Sequence, residues 1–158
     1  MAMDWGEDAL REFLAGPYKR VLHIVRLASD NDAEAEDAVH EAIARAWERR
    51  GTIERPEQWV LAVALNLTRS RWRHILRPAK RVASPPANDD FATTEWLLVL
   101  RALPRRQREV AVLHYVEDLP VAAIAEVLGT SEGAVKNALF HARGALAAAL
   151  DDTKEEAR

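Results

Sequence analysis

Residues 119–146 read LPVAAIAEVLGTSEGAVKNALFHARGAL, and this stretch decides the fold of the second half of the chain. It predicts a short apolar helix opened by Pro120, a turn that contains Gly129, and a second helix capped by Ser131. Two helices joined by a short glycine-containing turn form a helix-turn-helix. Small and branched residues are expected where the two helices cross: Ala122, Ile124, Ala125, Leu128, Val135 and Leu139.

The second helix of this motif is predicted to expose side chains that suit duplex DNA. They offer hydrogen-bond donors to phosphates and bases, and an apolar edge to thymine methyl groups. The candidates for DNA contact are Lys136, Asn137, Phe140, His141 and Arg143. The alternative is a helical hairpin with an ordinary solvated face.

Helical periodicity extends along the rest of the chain, where apolar residues recur at three- and four-residue spacing and no long alternating run occurs. Four earlier helices are predicted: one capped by Asp4 and ending at Gly16, one toward Ser29, one capped by Asp32 and ending at Gly51, and one from Pro56 to Pro78. Later helices are predicted over 91–102, 104–116, 120–128 and 131–150. The protein is therefore expected to be all-α.

The composition changes in the middle of the chain. Residues 78–90 read PAKRVASPPANDD, where the prolines cannot continue a helix and the small polar residues have little to bury. We therefore predict two small helical domains, residues 1–78 and 91–150, joined by a flexible linker over 79–90. A charged tail over 151–158 is expected to fray.

Composition and charge narrow the class of protein. The chain has 158 residues, 49% hydrophobic and 30% charged, which suits two compact globular domains. It has no cysteine, which excludes disulfides and thiolate metal sites, and its net charge of -3 argues against holding DNA by bulk electrostatics alone. An acidic N-terminus and the lack of a long apolar run predict a cytoplasmic protein without membrane insertion.

The charges are polarised along the sequence. Acidic residues crowd the first forty positions, whereas cations follow one another without an interrupting acid at Arg69, Arg71, Arg73, Arg77, Lys80 and Arg81. The chain is therefore predicted to carry distinct acidic and basic surfaces.

Enzymatic motifs are incomplete. His40 and Glu41 begin a string typical of zinc proteases, but Ala44 stands where the second histidine is required. The acidic run from Asp30 to Glu34 lacks the glycine that a calcium loop needs. We therefore predict no catalytic residue, no metal site and no cofactor.

Two separate groups of motifs carry a family resemblance. The C-terminal group is LPxxQREV at 103–110, IAxxLGxSxGxVK at 124–136 and ARxxL at 142–146; the N-terminal group is AEDAVHEAIARAW at 35–47, PExW at 56–59 and Asn66. Together they resemble the extracytoplasmic-function (ECF) sigma factors of bacteria, which keep only conserved regions 2 and 4 of the sigma-70 family. The resemblance covers nearly the whole chain except the linker and the tail.

The resemblance implies a transcription initiation factor that binds core RNA polymerase, through the largest-subunit clamp and the flap, and promoter DNA. It also implies regulation by an anti-sigma factor or another protein. The helix at 35–47 would dock on the clamp, and four side chains at helical spacing would make the contact: Asp37, His40, Glu41 and Arg45. A solvated charged face is the alternative.

The resemblance further implies that residues 49–73 read and melt the minus-ten element. Aromatic rings, amides and cations would hold unpaired bases and the displaced strand. The candidates are Thr52 and Glu54 as base-edge readers, with Trp59, Asn66, Arg69 and Arg73. Trp59 and Trp72 are alternatively core residues.

Several positions depart from the family pattern. The second helix of the helix-turn-helix, the recognition helix, has Ala134, Asn137, Ala138 and His141 where the family usually has Thr, Ser, Arg and Arg. Elsewhere in the chain, Ala62, Ser70 and Ala123 also depart from the family pattern. Fewer cations predict weaker phosphate anchoring. These departures support an alternative to a sigma factor, a sigma-like adaptor that does not recognise promoters by itself. A plain helix-turn-helix repressor is disfavoured, because the N-terminal half shows no ligand-pocket signature and carries its own family match.

Overall fold

The computed structural model describes residues 5–74 and 95–156, without the side chains of 70–74, 95–97, 153, 154 and 156. The regular elements within these ranges are all helical, as predicted. They are α1 (Glu7–Ala15), α2 (Pro17–Ala28), α3 (Asp32–Glu48), α4 (Pro56–His74), α5 (Glu95–Ala102), α6 (Arg105–Ala111), a π-helical turn (Val112–Val116), α7 (Val121–Leu128) and α8 (Glu132–Glu156). The chain divides into two compact units, Met1–Pro86 and Ala87–Arg158. The predicted linker, 79–90, lies outside the described residues.

The first unit is built on the contact between α3 and α4, with α2 packed against both and α1 against α2. The inward face of α3 is lined by fully buried alanines, which let the neighbouring backbones come close: Ala35, Ala38, Ala42 and Ala46. The branched side chains that fill the space come mainly from the other helices, among them Val25, Val60 and Leu65. Buried branched residues against small ones give dense packing without voids.

The start of α3 corrects one prediction. Asn31, and not Asp32, is the N-cap: its Oδ1 accepts hydrogen bonds from the backbone N–H groups of Ala33 (2.8 Å) and Glu34 (3.3 Å). Asn31 has extended backbone, whereas Asp32 is already the first helical residue. A cap must be the last non-helical residue, because only from there does its side chain reach the free N–H groups of the first turn.

Other predicted helix ends differ by a few residues. α3 ends at Glu48 and not at Gly51, because Arg49 already has non-helical backbone. α1 has Gly6 as its N-cap, and the predicted cap Asp4 lies outside the described residues. α8 continues through 151–156, so this part of the predicted fraying tail is helical.

The second unit contains the helix-turn-helix, in which α6 and α7 both pack against α8. Gly129 ends α7 in the left-handed region, with φ +62°. The N–H of Thr130 donates to the carbonyl of Ala125 (3.0 Å) and that of Gly129 to the carbonyl of Glu126 (3.3 Å), which is a Schellman ending. Ser131 then caps α8, its Oγ accepting from the N–H of Ala134 at 3.1 Å.

The helix crossing is as predicted except at one position. Ile124, Ala125 and Leu128 are buried on α7, and Val135 and Leu139 are buried on α8. Ala122 is exposed, so its inclusion in the crossing was wrong. It lies two residues before Ile124, which puts it about 160° away from that buried residue around the helix.

The helix predicted from Pro104 to Val116 has the expected extent but two geometries. Its last five residues form the π-helical turn, in which the N–H of Glu117 donates to the carbonyl of Val112 at 3.2 Å. Asp118 follows with φ +57°, a left-handed conformation that aspartate tolerates better than most residues. The π-helical turn leaves Tyr115 and Val116 about half exposed, at 46% and 47%.

Arg108 of the QREV motif joins α5 to α6. Its side chain is buried and donates three hydrogen bonds, from Nε to the carbonyl of Leu100 (2.9 Å) and from Nη2 to the carbonyls of Arg101 (3.0 Å) and Leu103 (3.1 Å). The last carbonyls of a helix have no partner within it, and they carry the negative end of its dipole. The buried guanidinium therefore caps α5.

We predict that Arg108→Met destabilises the second unit by on the order of 3 kcal/mol, because the buried carbonyls of the α5 end lose their donor. Urea unfolding followed by circular dichroism measures the loss. Arg108→Lys should recover only part of it, since a single ammonium does not match the fork of three bonds. Lys136→Met, an exposed control, should change the free energy of unfolding by less than about 0.5 kcal/mol. Equal stability of Arg108→Met and the control would contradict the capping role.

Candidate nucleic-acid and polymerase interfaces

The outward face of α8 is formed by the five residues predicted to contact DNA: Lys136, Asn137, Phe140, His141 and Arg143. All five are exposed, and Phe140 is 72% exposed although it is a large apolar residue. The opposite side of the helix is buried, at Val135, Ala138, Leu139, Ala142 and Leu146. The buried side fixes which residues face outward, and contact of the outward face with DNA stays a prediction.

The side chains of the outward face have a defined order. Lys136, Phe140 and Arg143 follow one another at four- and three-residue spacing and therefore form one row along the helix. The rings of Phe140 and His141 meet edge to face, with centroids 5.6 Å apart. Arg143 Nε donates a hydrogen bond to the hydroxyl of Tyr115 at 2.7 Å. Tyr115 stands 28 positions earlier in the chain. No local spacing links the two residues, so their contact was not predicted from the sequence.

The polar stripe of α4 consists of Trp59, Asn66 and Arg69. Asn66 is exposed, and Trp59 and Arg69 are half-buried. The other side of the helix is buried, at Val60, Leu61, Ala64, Leu65 and Thr68. Trp59 thus matches neither a fully buried core residue nor a fully exposed one, and it keeps part of its ring accessible. The predicted site residue Arg73, and also Trp72, have side chains outside those described.

The loop between α3 and α4 presents Thr52 and Glu54, both exposed, on either side of the buried Ile53. The hydroxyl of Thr52 donates to the carbonyl of Arg49 at 2.9 Å, which leaves the oxygen lone pairs as acceptors. Ile53 holds the middle of the loop against the core. The structure therefore brings the two predicted edge readers out on a short, anchored loop.

The N-terminal segment supports the same loop, a contact that no pattern in the sequence predicts. The N–H of Trp5 donates to the carbonyl of Arg50 at 3.3 Å. The Trp5 ring is buried and meets Phe13 edge to face, at 5.4 Å between centroids. The guanidinium of Arg50 lies 4.7 Å from the centre of the Trp47 ring. The loop is thus attached to the N-terminal segment on one side and to the end of α3 on the other.

The charged face of α3 consists of Asp37, His40, Glu41 and Arg45. Glu41 is half-buried, and the other three are exposed. Arg45 Nη2 lies 2.8 Å from Glu41 Oε1, one helical turn away. A hydrogen bond of 2.9 Å joins His40 Nε2 to the hydroxyl of Tyr18, and the two rings stack. The four predicted residues therefore share one surface.

Within 5–74 and 95–156, no three His, Asp or Glu side chains are grouped closely enough to hold a metal ion. No helix in the same ranges has the length and apolarity needed to cross a membrane.

Comparison with known proteins agrees with this geometry. Residues 94–146 match the family "Sigma-70, region 4". This range contains α7, the turn and the outward face of α8. The probable RNA polymerase sigma factor RfaY of Xanthomonas campestris pv. campestris is 32% identical over 139 positions, which cover 75% of this chain and 35% of RfaY. The chain thus spans about a third of that relative.

Other relatives match over nearly their whole length. The ECF RNA polymerase sigma factor SigL of Mycobacterium tuberculosis is 31% identical over 163 aligned positions, covering 92% of each protein. Among solved structures, the sigma factor RpoE of Bartonella quintana, in complex with the anti-sigma factor NepR, has the same fold, with a TM-score of 0.79 over 92% of this chain and 98% of RpoE at 20% identity. The match to SigL runs through both units, and on this basis the chain belongs to the ECF RNA polymerase sigma factors.

Proposed function

We propose that this protein binds core RNA polymerase and directs it to specific promoters, without catalysis of its own. The observation that carries the proposal is the outward face of α8, the second helix of the helix-turn-helix. This face exposes hydrogen-bond donors, two cationic side chains and a phenylalanine. A helix with such a face fits the major groove, where the edges of all four base pairs differ.

The second unit would read the minus-thirty-five duplex. Asn137 supplies an amide that can donate to and accept from a base edge, and Phe140 offers an apolar surface to thymine methyl groups. Lys136 and Arg143 lie seven residues apart, about 10 Å along the helix. That separation lets them contact different phosphates and fix the register of the helix on the duplex.

The first unit would hold the minus-ten element after its strands separate. An unpaired base can stack on the accessible part of Trp59, while Asn66 and Arg69 lie on the same stripe to contact bases and phosphates. Thr52 and Glu54 would meet the edges of a base turned out toward the anchored loop. Stacking and phosphate contacts are expected to dominate here, since the bases must be unpaired first.

The charged face of α3 would contact the clamp of the polymerase largest subunit. It carries charges of both signs on one helix, which suits a partner helix with a complementary pattern. A protein regulator is also proposed: RpoE was solved with the anti-sigma factor NepR, and a protein of that kind would act on this chain by covering its polymerase or DNA surfaces.

Run-off transcription tests the proposal as a whole. Purified core polymerase with the full chain should select duplexes from a randomised library and start transcripts on them, whereas core polymerase alone should not. Binding to core polymerase without transcripts would favour the sigma-like adaptor. Binding to duplex DNA without binding to core polymerase would favour the helix-turn-helix repressor.

Charge reversal tests the polymerase surface. We predict that Glu41→Arg with Arg45→Glu weakens binding to core polymerase at least about tenfold, roughly 1.4 kcal/mol, because each partner charge then meets a like charge. The intrahelical pair survives in reverse order, so helicity should be unchanged. The matched control is Glu7→Arg with Arg11→Glu, another exposed pair four residues apart. Equal affinities of the two double variants in a titration against core polymerase would remove the charged face of α3 from the interface.

Asn137 is predicted to read one base pair of the upstream element. Asn137→Ala should lose about 1–3 kcal/mol of discrimination at that base pair and keep its preference elsewhere. The measurement compares holoenzyme binding to duplexes that carry each single substitution of the selected sequence. Glu155→Ala, exposed near the C-terminal end of α8 and twelve residues beyond Arg143, is the control. A uniform loss across all positions would assign Asn137 to phosphate contact instead.

Trp59 is predicted to act in strand opening. Trp59→Leu keeps an apolar side chain at this half-buried position but removes the aromatic stacking surface. Closed complexes should therefore form, while strand opening falls about tenfold. Permanganate reactivity of the minus-ten thymines measures opening, and Trp59→Phe should retain most of it. Normal opening with Trp59→Leu would show that this tryptophan only packs in its unit and has no role in strand opening.

A further inference from the structure

Tyr115 has no part in the functions described so far, yet it makes a specific contact with the outward face of α8. Its hydroxyl accepts a hydrogen bond from Nε of Arg143 at 2.7 Å. Tyr115 lies in the π-helical turn and Arg143 on α8, so the bond joins two separate elements of the second unit. Both side chains are exposed, which leaves the pair accessible to a ligand.

The chemistry of the contact leaves the arginine able to bind an anion. A guanidinium has five N–H donors, and the bond to Tyr115 uses the single one on Nε. The two terminal amino groups keep their donors in the fork geometry that matches phosphate oxygens. The tyrosine therefore holds the base of the fork without occupying its binding end.

The position of Tyr115 is itself well determined. Its ring meets the ring of His114 edge to face at 4.9 Å between centroids. His114 Nδ1 in turn lies 3.1 Å from the carbonyl oxygen of Leu119, in the segment that leads into α7. A tyrosine has only two side-chain torsions before its hydroxyl, so a fixed ring gives a fixed hydrogen-bond acceptor.

A free arginine on a helix surface samples many rotamers and loses that freedom when it binds. A contact that already selects the binding rotamer reduces this loss, and the affinity rises without any new contact to the ligand. π-helical turns occur frequently at functional sites, and this one carries the residue that meets Arg143.

We propose that Tyr115 is a positioning residue for DNA binding: it holds Arg143 in the orientation in which its terminal amino groups meet a phosphate beside the recognition helix. The inference rests on the proposed function, since it takes the outward face of α8 as the DNA surface. It adds a residue from outside the helix-turn-helix to that surface.

The test is a double-mutant cycle on the full chain, with a short random-sequence fluorescein-labelled duplex as the probe and anisotropy read over a range of salt concentrations. Tyr115→Phe keeps the ring and removes only the acceptor, so the Kd should rise about threefold to tenfold. In the Arg143→Ala background the same change should have no effect. Arg143→Lys, which keeps the charge but lacks Nε, should also be insensitive to Tyr115→Phe.

The salt dependence separates positioning from general damage. Arg143→Ala should reduce the slope of log K against log salt by about one, whereas Tyr115→Phe should leave the slope unchanged because the cation is still present. Equal weakening by Tyr115→Phe with and without Arg143 would show a merely structural role and overturn the inference.

The same measurements distinguish the inference from the proposed function. Normal affinity of Tyr115→Phe, with a reduced slope for Arg143→Ala, overturns the role of Tyr115 and leaves the DNA surface standing. An unchanged slope for Arg143→Ala overturns the inference together with the assignment of Arg143 to DNA. Thermal unfolding of each variant checks that the fold is retained.

Discussion

The left-handed backbone of Gly129 allows α7 to end and α8 to begin within three residues. A Cβ at this position would meet no atom within 4 Å, so the requirement for glycine is conformational and not steric. The Schellman bonds close α7, and Ser131 opens α8 at once. Because only three residues separate the two helices and their hydrogen bonds hold both ends of the turn, the packing of α7 fixes the direction of α8. The outward face of α8 therefore has a defined orientation within the second unit.

Two adjacent charged residues on α6 are buried within the same unit. Arg108 caps α5 from inside the protein, and Glu109 is fully buried beside it, with its Oε1 3.4 Å from Nε of Arg105 one turn earlier. Buried charges contribute stability only where hydrogen bonds and partners replace lost water. The QREV motif is therefore structural: it joins α5 to α6 and so sets the position of the helix whose π-helical end carries Tyr115.

Much of this organisation follows from local signals in the sequence. The helices, the turn at Gly129 and the exposed side of α8 were predicted, because spacing, caps and breakers act over a few residues. The choice of Asn31 over Asp32 as a cap was missed, since both residues are good caps and only backbone conformation decides between them. Tyr115 with Arg143 and Trp5 with Arg50 were missed because each contact joins distant segments, and no periodicity predicts such pairs.

The structure also changes how the departures in the recognition helix are interpreted. Ala138 stands where the family usually has arginine, but in this chain it is 7% exposed and belongs to the buried side of α8. Its role here is packing, so it says little about the charge of the outward face. The cations that this face does expose are Lys136 and Arg143, with His141 beside them. Under the proposed function these few cations would meet the DNA, so the orientation of each one would have a larger share in the affinity. The proposed role of Tyr115 concerns the orientation of one of them, Arg143.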